Sequence, residues 1–145
     1  MLNVFQRPSL AQVRQLAVAA DLPTDDLGSA DLGHFFGAGT RDDVRGVVGL
    51  ELLGDAALLR SLAVVAEARG AGYGRALVAA AERHAAGLGV RSVYLLTTTA
   101  ADFFARMGYR RVERESAPAA VQGTREFAAL CPASATCMVK QLGPG

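Results

Sequence analysis

The sequence carries almost no excess charge: 15 basic side chains stand against 14 acidic ones, a net charge of +1. Partners held by bulk electrostatics need a charged surface, so neither nucleic acid nor a membrane surface is expected. No apolar run approaches the roughly 18 residues of a membrane span. The opening stretch Met1-Leu2-Asn3-Val4-Phe5-Gln6-Arg7-Pro8 lacks a basic region followed by an apolar core, so no secretory signal is expected there. Cysteine is scarce as well. Cys131 and Cys137 are too few for a disulfide framework, and they fit a reducing compartment at least as well as a lone bridge. The cytoplasm is the expected location. No internal repeat or linker divides the chain, so residues 1–145 read as one domain. With 51% apolar and 20% charged residues, that domain is globular rather than disordered.

What is present begins with a weakly alternating strand, Leu2–Arg7, ended by Pro8. Ser9 caps a helix over Leu10–Ala20 with Leu10, Val13, Leu16 and Ala17 on one face. Leu22–Asp26 breaks it, and Ser29 caps a short turn. Strands follow at His34–Ala38, Val44–Leu53 and Ala56–Val65, the last two joined by Gly54-Asp55. A helix over Gly72–Gly87 places Leu77, Ala81, Ala85 and Leu88 on one side. Ser92–Thr97 is a strand, Ala100–Met107 a two-turn helix, and Tyr109–Glu113 and Thr136–Leu142 are strands. Thr124–Leu130 has helix character, and Gly143-Pro144-Gly145 is a frayed tail. Strands first and strand–helix alternation later indicate an α/β (mixed α+β) fold, a mixed sheet with helices on both faces.

The chain is organised around Leu58–Leu77, a buried strand running into Arg69-Gly70-Ala71-Gly72-Tyr73-Gly74-Arg75 and a helix. Alternate glycines leave the backbone bare, and the helix start aims unpaired amides and a positive dipole end into the loop. Arg69 and Arg75 add fixed positive charge, so the stretch reads as a phosphate or pyrophosphate cradle. The spacing excludes two common cradles. A dinucleotide fingerprint needs G-x-G-x-x-G with an acid about 20 residues on, and a nucleotide P-loop needs G-x-x-x-x-G-K-[ST]. Neither is present.

Arg69-x-x-Gly72-x-Gly74, after Leu62-Ala63-Val64, resembles the acyl-CoA-binding motif of the GNAT acetyltransferase superfamily. The run Leu95–Tyr109, with Phe104-x-x-x-Gly108-Tyr109, resembles that superfamily's second half. The resemblance implies a single-domain fold around a mostly antiparallel sheet. It implies acetyl-CoA as cosubstrate, with Arg69, Gly70, Ala71, Gly72, Tyr73, Gly74 and Arg75 on the pyrophosphate. Leu62, Ala63 and Val64 would pair through their backbone with the pantetheine arm, and Phe104 would also belong to the cosubstrate site. Leu96–Phe104 is similar to bacterial N-acetylglutamate synthases. Thr124–Met138, together with Leu59–Val64, resembles GNAT proteins associated with arsenic resistance.

The implied activity is acetyl transfer to the amine of a small, amino-acid-like substrate, with a homodimer left open. The alternatives are a protein N-acetyltransferase and a non-catalytic acyl-CoA or metalloid sensor. An ammonium must lose a proton before it attacks, so a carboxylate or water chain is required. Glu51 is preferred over Glu67 and Asp102, though each of them reads more readily as a solvated surface acid than as the base. Many GNAT enzymes protonate the departing thiolate with a tyrosine. The matching residue here is Phe104, which has no proton to give, leaving Thr97, Thr99 or water. Arg60 and Arg125 are read either as clamps on a substrate carboxylate or as members of structural ion pairs. Cys131 and Cys137 read as small buried hydrophobes more readily than as soft metalloid ligands. His34 and His84 lack an acidic or cysteine partner at metal spacing and read as ordinary surface or interface histidines; no metal site is expected.

Overall fold

The structure is a computed structural model that describes residues 3–22, 24, 33–130 and 134–142. Ser29, Cys131, Leu2 and the tail at 143–145 lie outside the described residues. The elements in order are β1 (Val4–Gln6), α1 (Leu10–Ala19), β2 (Phe35–Gly39), β3 (Val44–Leu53), β4 (Ala56–Val64), α2 (Tyr73–Gly87), β5 (Ser92–Thr97), α3 (Ala101–Arg106), β6 (Arg110–Arg111), α4 (Ala119–Gln122) and β7 (Thr136–Gln141). The strands form one seven-stranded sheet in the order β1-β2-β3-β4-β5-β7-β6. Pairing is antiparallel for β1–β2, β2–β3, β5–β7 and β6–β7, and parallel for β4–β5. The expected mostly antiparallel α/β sheet flanked by helices is the observed fold.

By internal contacts the chain groups into two units, one of Met1–Glu51 with Leu59–His84 and one of Leu52–Leu58 with Ala85–Gly145. In the first, Val13, Leu16, Phe35, Val44, Val47 and Ala63 form the core. The Ser9 hydroxyl accepts the Gln12 amide and the Gln12 side chain answers the Ser9 amide, a capping box that fixes where α1 starts. Two cross-strand pairs set an aromatic ring over a glycine, Phe5 on Gly37 and Phe35 on Gly49. Gly46 does the same work for the helix. A Cβ there would lie 2.9 Å from Leu77 Cδ1, so its absence lets α2 pack closely on β3.

In the second unit, Ala56, Leu58, Ala117, Val121, Phe127 and Cys137 make the core. The parallel ladder runs from Ala56↔Ser92 to Leu58↔Tyr94. The antiparallel ladder of β5 and β7 extends from Ser92↔Gln141 to Thr97↔Thr136.

Two expectations need correction. Leu88 is 53% exposed, whereas Leu77, Ala81 and Ala85 are fully buried. α2 ends at Gly87, so Leu88 leaves the helical phase that would have turned it inward. The strand expected over Tyr109–Glu113 is also shorter, pairing only at Arg110 and Arg111 before a 3-10 turn at Arg114–Ser116. The helix character of Thr124–Leu130 is realised as a π-type turn over Glu126–Leu130.

Candidate active site

β4 delivers the first group of expected site residues. Its residues from Ala56 to Ser61 are all buried, so simple alternation of faces does not hold along it. Ser61 has a φ of 58°, left-handed backbone that a serine in a strand rarely adopts. Such a residue stores on the order of 1–3 kcal/mol and persists only where its surroundings fix it. Here Arg60 Nε donates to Ser61 Oγ at 3.2 Å. Leu62 and Val64, just beyond, are half-exposed, and Ala63 is buried.

The cradle follows directly. Val64 O accepts from Arg69 Nε at 3.3 Å, folding that side chain back onto the end of β4. Gly70 and Gly72 have φ of 85° and 91°, which only glycine adopts without strain. A Cβ at Gly70 would meet nothing within 4 Å, so conformation rather than space requires glycine there. The Gly72 carbonyl accepts the Ala76 amide at 3.1 Å, which makes Gly72 the cap of α2. The amides of Tyr73, Gly74 and Arg75 are therefore first-turn groups with no intrahelical acceptor. No acidic residue sits in that turn. Arg69, Gly70, Ala71 and Arg75 are exposed, and Gly72, Tyr73 and Gly74 half-buried. An accessible helix start with two cations and no competing carboxylate matches a pyrophosphate in charge and donor geometry.

Arg60 and Glu51 come together in the same unit. Arg60 Nη1 lies 3.9 Å from Glu51 Oε1, with side-chain exposures of 5% and 38%. A guanidinium that deep is rare and needs compensation. Glu67, the alternative base, is exposed on a 3-10 turn at Ala66–Ala68.

In the other unit, Thr97 closes β5 and its Oγ1 accepts the Ala100 amide at 2.9 Å. That bond caps the entry to α3 and leaves the hydroxyl hydrogen available to donate. Thr99 is exposed. Phe104 is 5% exposed and packs edge-on to Phe103 and Tyr109, at 5.1 and 5.5 Å between ring centroids. Arg125 is exposed, and Asp102 lies in the first turn of α3. Arg114 Nη2 donates to Phe127 O at 2.7 Å and the guanidinium stacks over the Phe127 ring. Cys137 is buried, and desolvation raises its thiol pKa; Arg114 offsets that in part and Glu115 adds to it.

Sequence reasoning missed three features. Glu126, 7% exposed, is a buried acid in the π-type turn. The left-handed backbone of Ser61 had no signal, because serine gives none. His34 and His84 are not separate surface side chains: His34 Nδ1 and His84 Nε2 lie 3.0 Å apart. Fifty positions in sequence separate them, so no local spacing could have shown the pair.

Comparison with known proteins agrees with this arrangement. A sequence model of the acetyltransferase (GNAT) domain matches residues 31–111. An uncharacterized N-acetyltransferase of Chlorobaculum tepidum is 47% identical over 60 residues, 41% of this chain and 38% of that protein. N-acetylglutamate synthase of Neisseria gonorrhoeae, solved with coenzyme A and N-acetyl-glutamate, superimposes with a TM-score of 0.84 at 18% identity. That match covers 99% of this chain and 36% of the synthase. A Mycobacterium tuberculosis protein solved with CoA gives a TM-score of 0.75 at 22% identity, covering 96% of this chain and 98% of that one. At such identities the superpositions speak for the fold. The match of the domain model to more than half of the sequence, through β2, the Gly70–Arg75 cradle and α3, places the chain in the GNAT acetyltransferase family.

Proposed function

We propose that the chain is an acetyl-CoA-dependent N-acetyltransferase acting on the amine of a small, amino-acid-like acceptor. The observation that carries the reading is the Gly72-capped start of α2. Its first-turn amides, left-handed glycines and flanking Arg69 and Arg75 suit a pyrophosphate, and β4 leads straight into it. Acetyl-CoA supplies the acyl group as a thioester.

The chain's own residues divide the remaining work. Leu62, Ala63 and Val64 offer backbone groups to the amide-bearing pantetheine arm, as a strand would. The left-handed Ser61 breaks regular strand geometry immediately before them, which favours an amide at Leu62 or Ala63 as donor to the developing oxyanion. One such donor contributes roughly 3 kcal/mol to the transition state. Glu51, at 38% exposure, receives the proton of the acceptor ammonium, directly or through water. Arg60 holds the acceptor carboxylate, with Arg125 the alternative clamp. Thr97 donates to the departing sulfur, a modest task because a thiol of pKa about 8.5 leaves readily. Phe104 contributes an apolar wall rather than a proton.

The amino-acid-like acceptor is supported by the buried Arg60 guanidinium and by the N-acetyl-glutamate bound in the similar synthase. A setting in arsenic resistance is supported by the resemblance carried by Leu59–Val64 and Thr124–Met138, and a cytoplasmic location by the two-cysteine sequence. Among the described residues no helix is long and apolar enough to cross a membrane. One observation favours a second reading, a non-catalytic acyl-CoA sensor: the ring at the family's tyrosine position is Phe104, buried and without a proton.

The deciding experiment incubates the full chain with acetyl-CoA and a panel of amines, glutamate and organoarsenical amino acids included, and follows free CoA thiol. Amine-dependent thiol release is expected. Tight acetyl-CoA binding without turnover on any amine would install the sensor reading, and no acetyl-CoA binding would sink both.

A further inference from the structure

We propose that His34 and His84 form a two-imidazole binding site for a borderline transition-metal ion, with copper(II) preferred over nickel(II) and zinc. The pair takes no part in the acetyl-transfer reading above. His34 stands in the short turn that enters β2, and His84 in the last turn of α2. Their facing nitrogens, Nδ1 of His34 and Nε2 of His84, are 3.0 Å apart, and the rings are tilted by 46°. Both side chains are half-buried, so solvent reaches them.

In the metal-free protein one facing nitrogen must carry a hydrogen and the other a lone pair. An ion replaces that shared hydrogen when both nitrogens present lone pairs. Two imidazole nitrogens, each about 2.1 Å from one ion, are about 3.0 Å apart at a right angle and about 3.4 Å apart at a tetrahedral angle. The observed separation lies at the right-angle end of that range, which suits neighbouring positions around a tetragonal ion such as copper(II).

Two further features favour a cation there. The carbonyl end of α2 carries partial negative charge. The Phe36 ring packs edge-on to His84 with centroids 5.3 Å apart, holding that imidazole in place. Among the described residues no third histidine, cysteine or carboxylate joins the pair. Water therefore fills the other positions, and the site is open rather than structural. With only two protein ligands, intrinsic affinity sets the order of metals, copper first.

The test titrates tag-free full chain with copper(II), nickel(II) and zinc by calorimetry, in a non-coordinating buffer. One copper ion per chain is expected, bound more tightly than nickel or zinc. His34→Gln and His84→Gln should each weaken copper binding by about tenfold or more, while Cys137→Ser leaves it unchanged. Electron paramagnetic resonance of the copper-loaded wild-type chain reads the ligands without any substitution and should show imidazole nitrogen coupling. Absence of stoichiometric binding, copper retention by both glutamine variants, or a spectrum without imidazole nitrogen would each overturn the site.

Discussion

The guanidinium of Arg60 and the carboxylate of Glu51 form an ion pair at 3.9 Å in which the cation is nearly sealed and the anion is half open. In the proposed reaction this pair would serve the two ends of a zwitterionic acceptor, Glu51 the ammonium and Arg60 the carboxylate. The guanidinium donates to Ser61 Oγ beside the kink in β4. Arg60→Lys keeps the charge and loses the fork. It should raise KM for an amino-acid acceptor about tenfold or more while KM for acetyl-CoA changes little. Equal small changes in both would leave Arg60 a purely structural cation.

Glu51→Gln keeps the volume and removes the proposed base. A drop in kcat of about a hundredfold is expected, with loss of the acidic limb of the pH–rate profile. Urea unfolding should show a cost of about 3 kcal/mol or more, because neutralising Glu51 takes a compensating charge from the buried Arg60 guanidinium. An unchanged pH profile would remove Glu51 from the role.

The cradle separates conformation from packing. Gly70→Ala meets no neighbour but must adopt a φ of 85°, so a stability loss of about 1–2 kcal/mol is expected. Gly72→Ala faces the same backbone demand at the cap of α2 and should raise KM for acetyl-CoA in steady-state kinetics. Gly49→Ala is different in kind: its Cβ would fall within the Phe35 ring, and the variant should lose several kcal/mol or fail to fold.

Stability should fall in mild acid because of His84. Its folded-state pKa is lowered, by burial first and then by His34, so the unfolded chain binds the proton more readily. The contribution is complete above the ordinary imidazole value of about 6.5 and is lost as pH falls through that value toward the folded one. Denaturant unfolding at pH 7.5 and 5.5 should show the decline, and His84→Gln should flatten it.

Burial raises the pKa of the Cys137 thiol and removes it from solvent. It should react with iodoacetamide far more slowly in the folded chain than in urea, by about a hundredfold or more. Fast labelling of Cys137 in the native state would reopen a reactive role for it.

Much of the fold was legible because its signals are local. Ser9 spelled a helix cap, Gly54-Asp55 a hairpin, and Leu77, Ala81 and Ala85 a buried stripe. The same holds for the cradle, since left-handed glycines and a helix start lie within seven residues, Arg69–Arg75. Leu88 misled because periodicity continued past the point where the helix stopped. Glu126 was invisible because an acid in an irregular segment reads as solvated, and only packing put it at 7% exposure.

By itself, then, the sequence determined the strand-to-helix cradle, the order of elements and the family resemblance, all of which rest on neighbours along the chain. Only the tertiary structure decided that Arg60 is sealed beside Glu51, that Ser61 is left-handed, and that His34 faces His84. These depend on contacts between residues up to 50 positions apart. Such contacts form when a helix settles on a sheet, through gaps such as the one Gly46 leaves for Leu77. No pattern within a single element records that event.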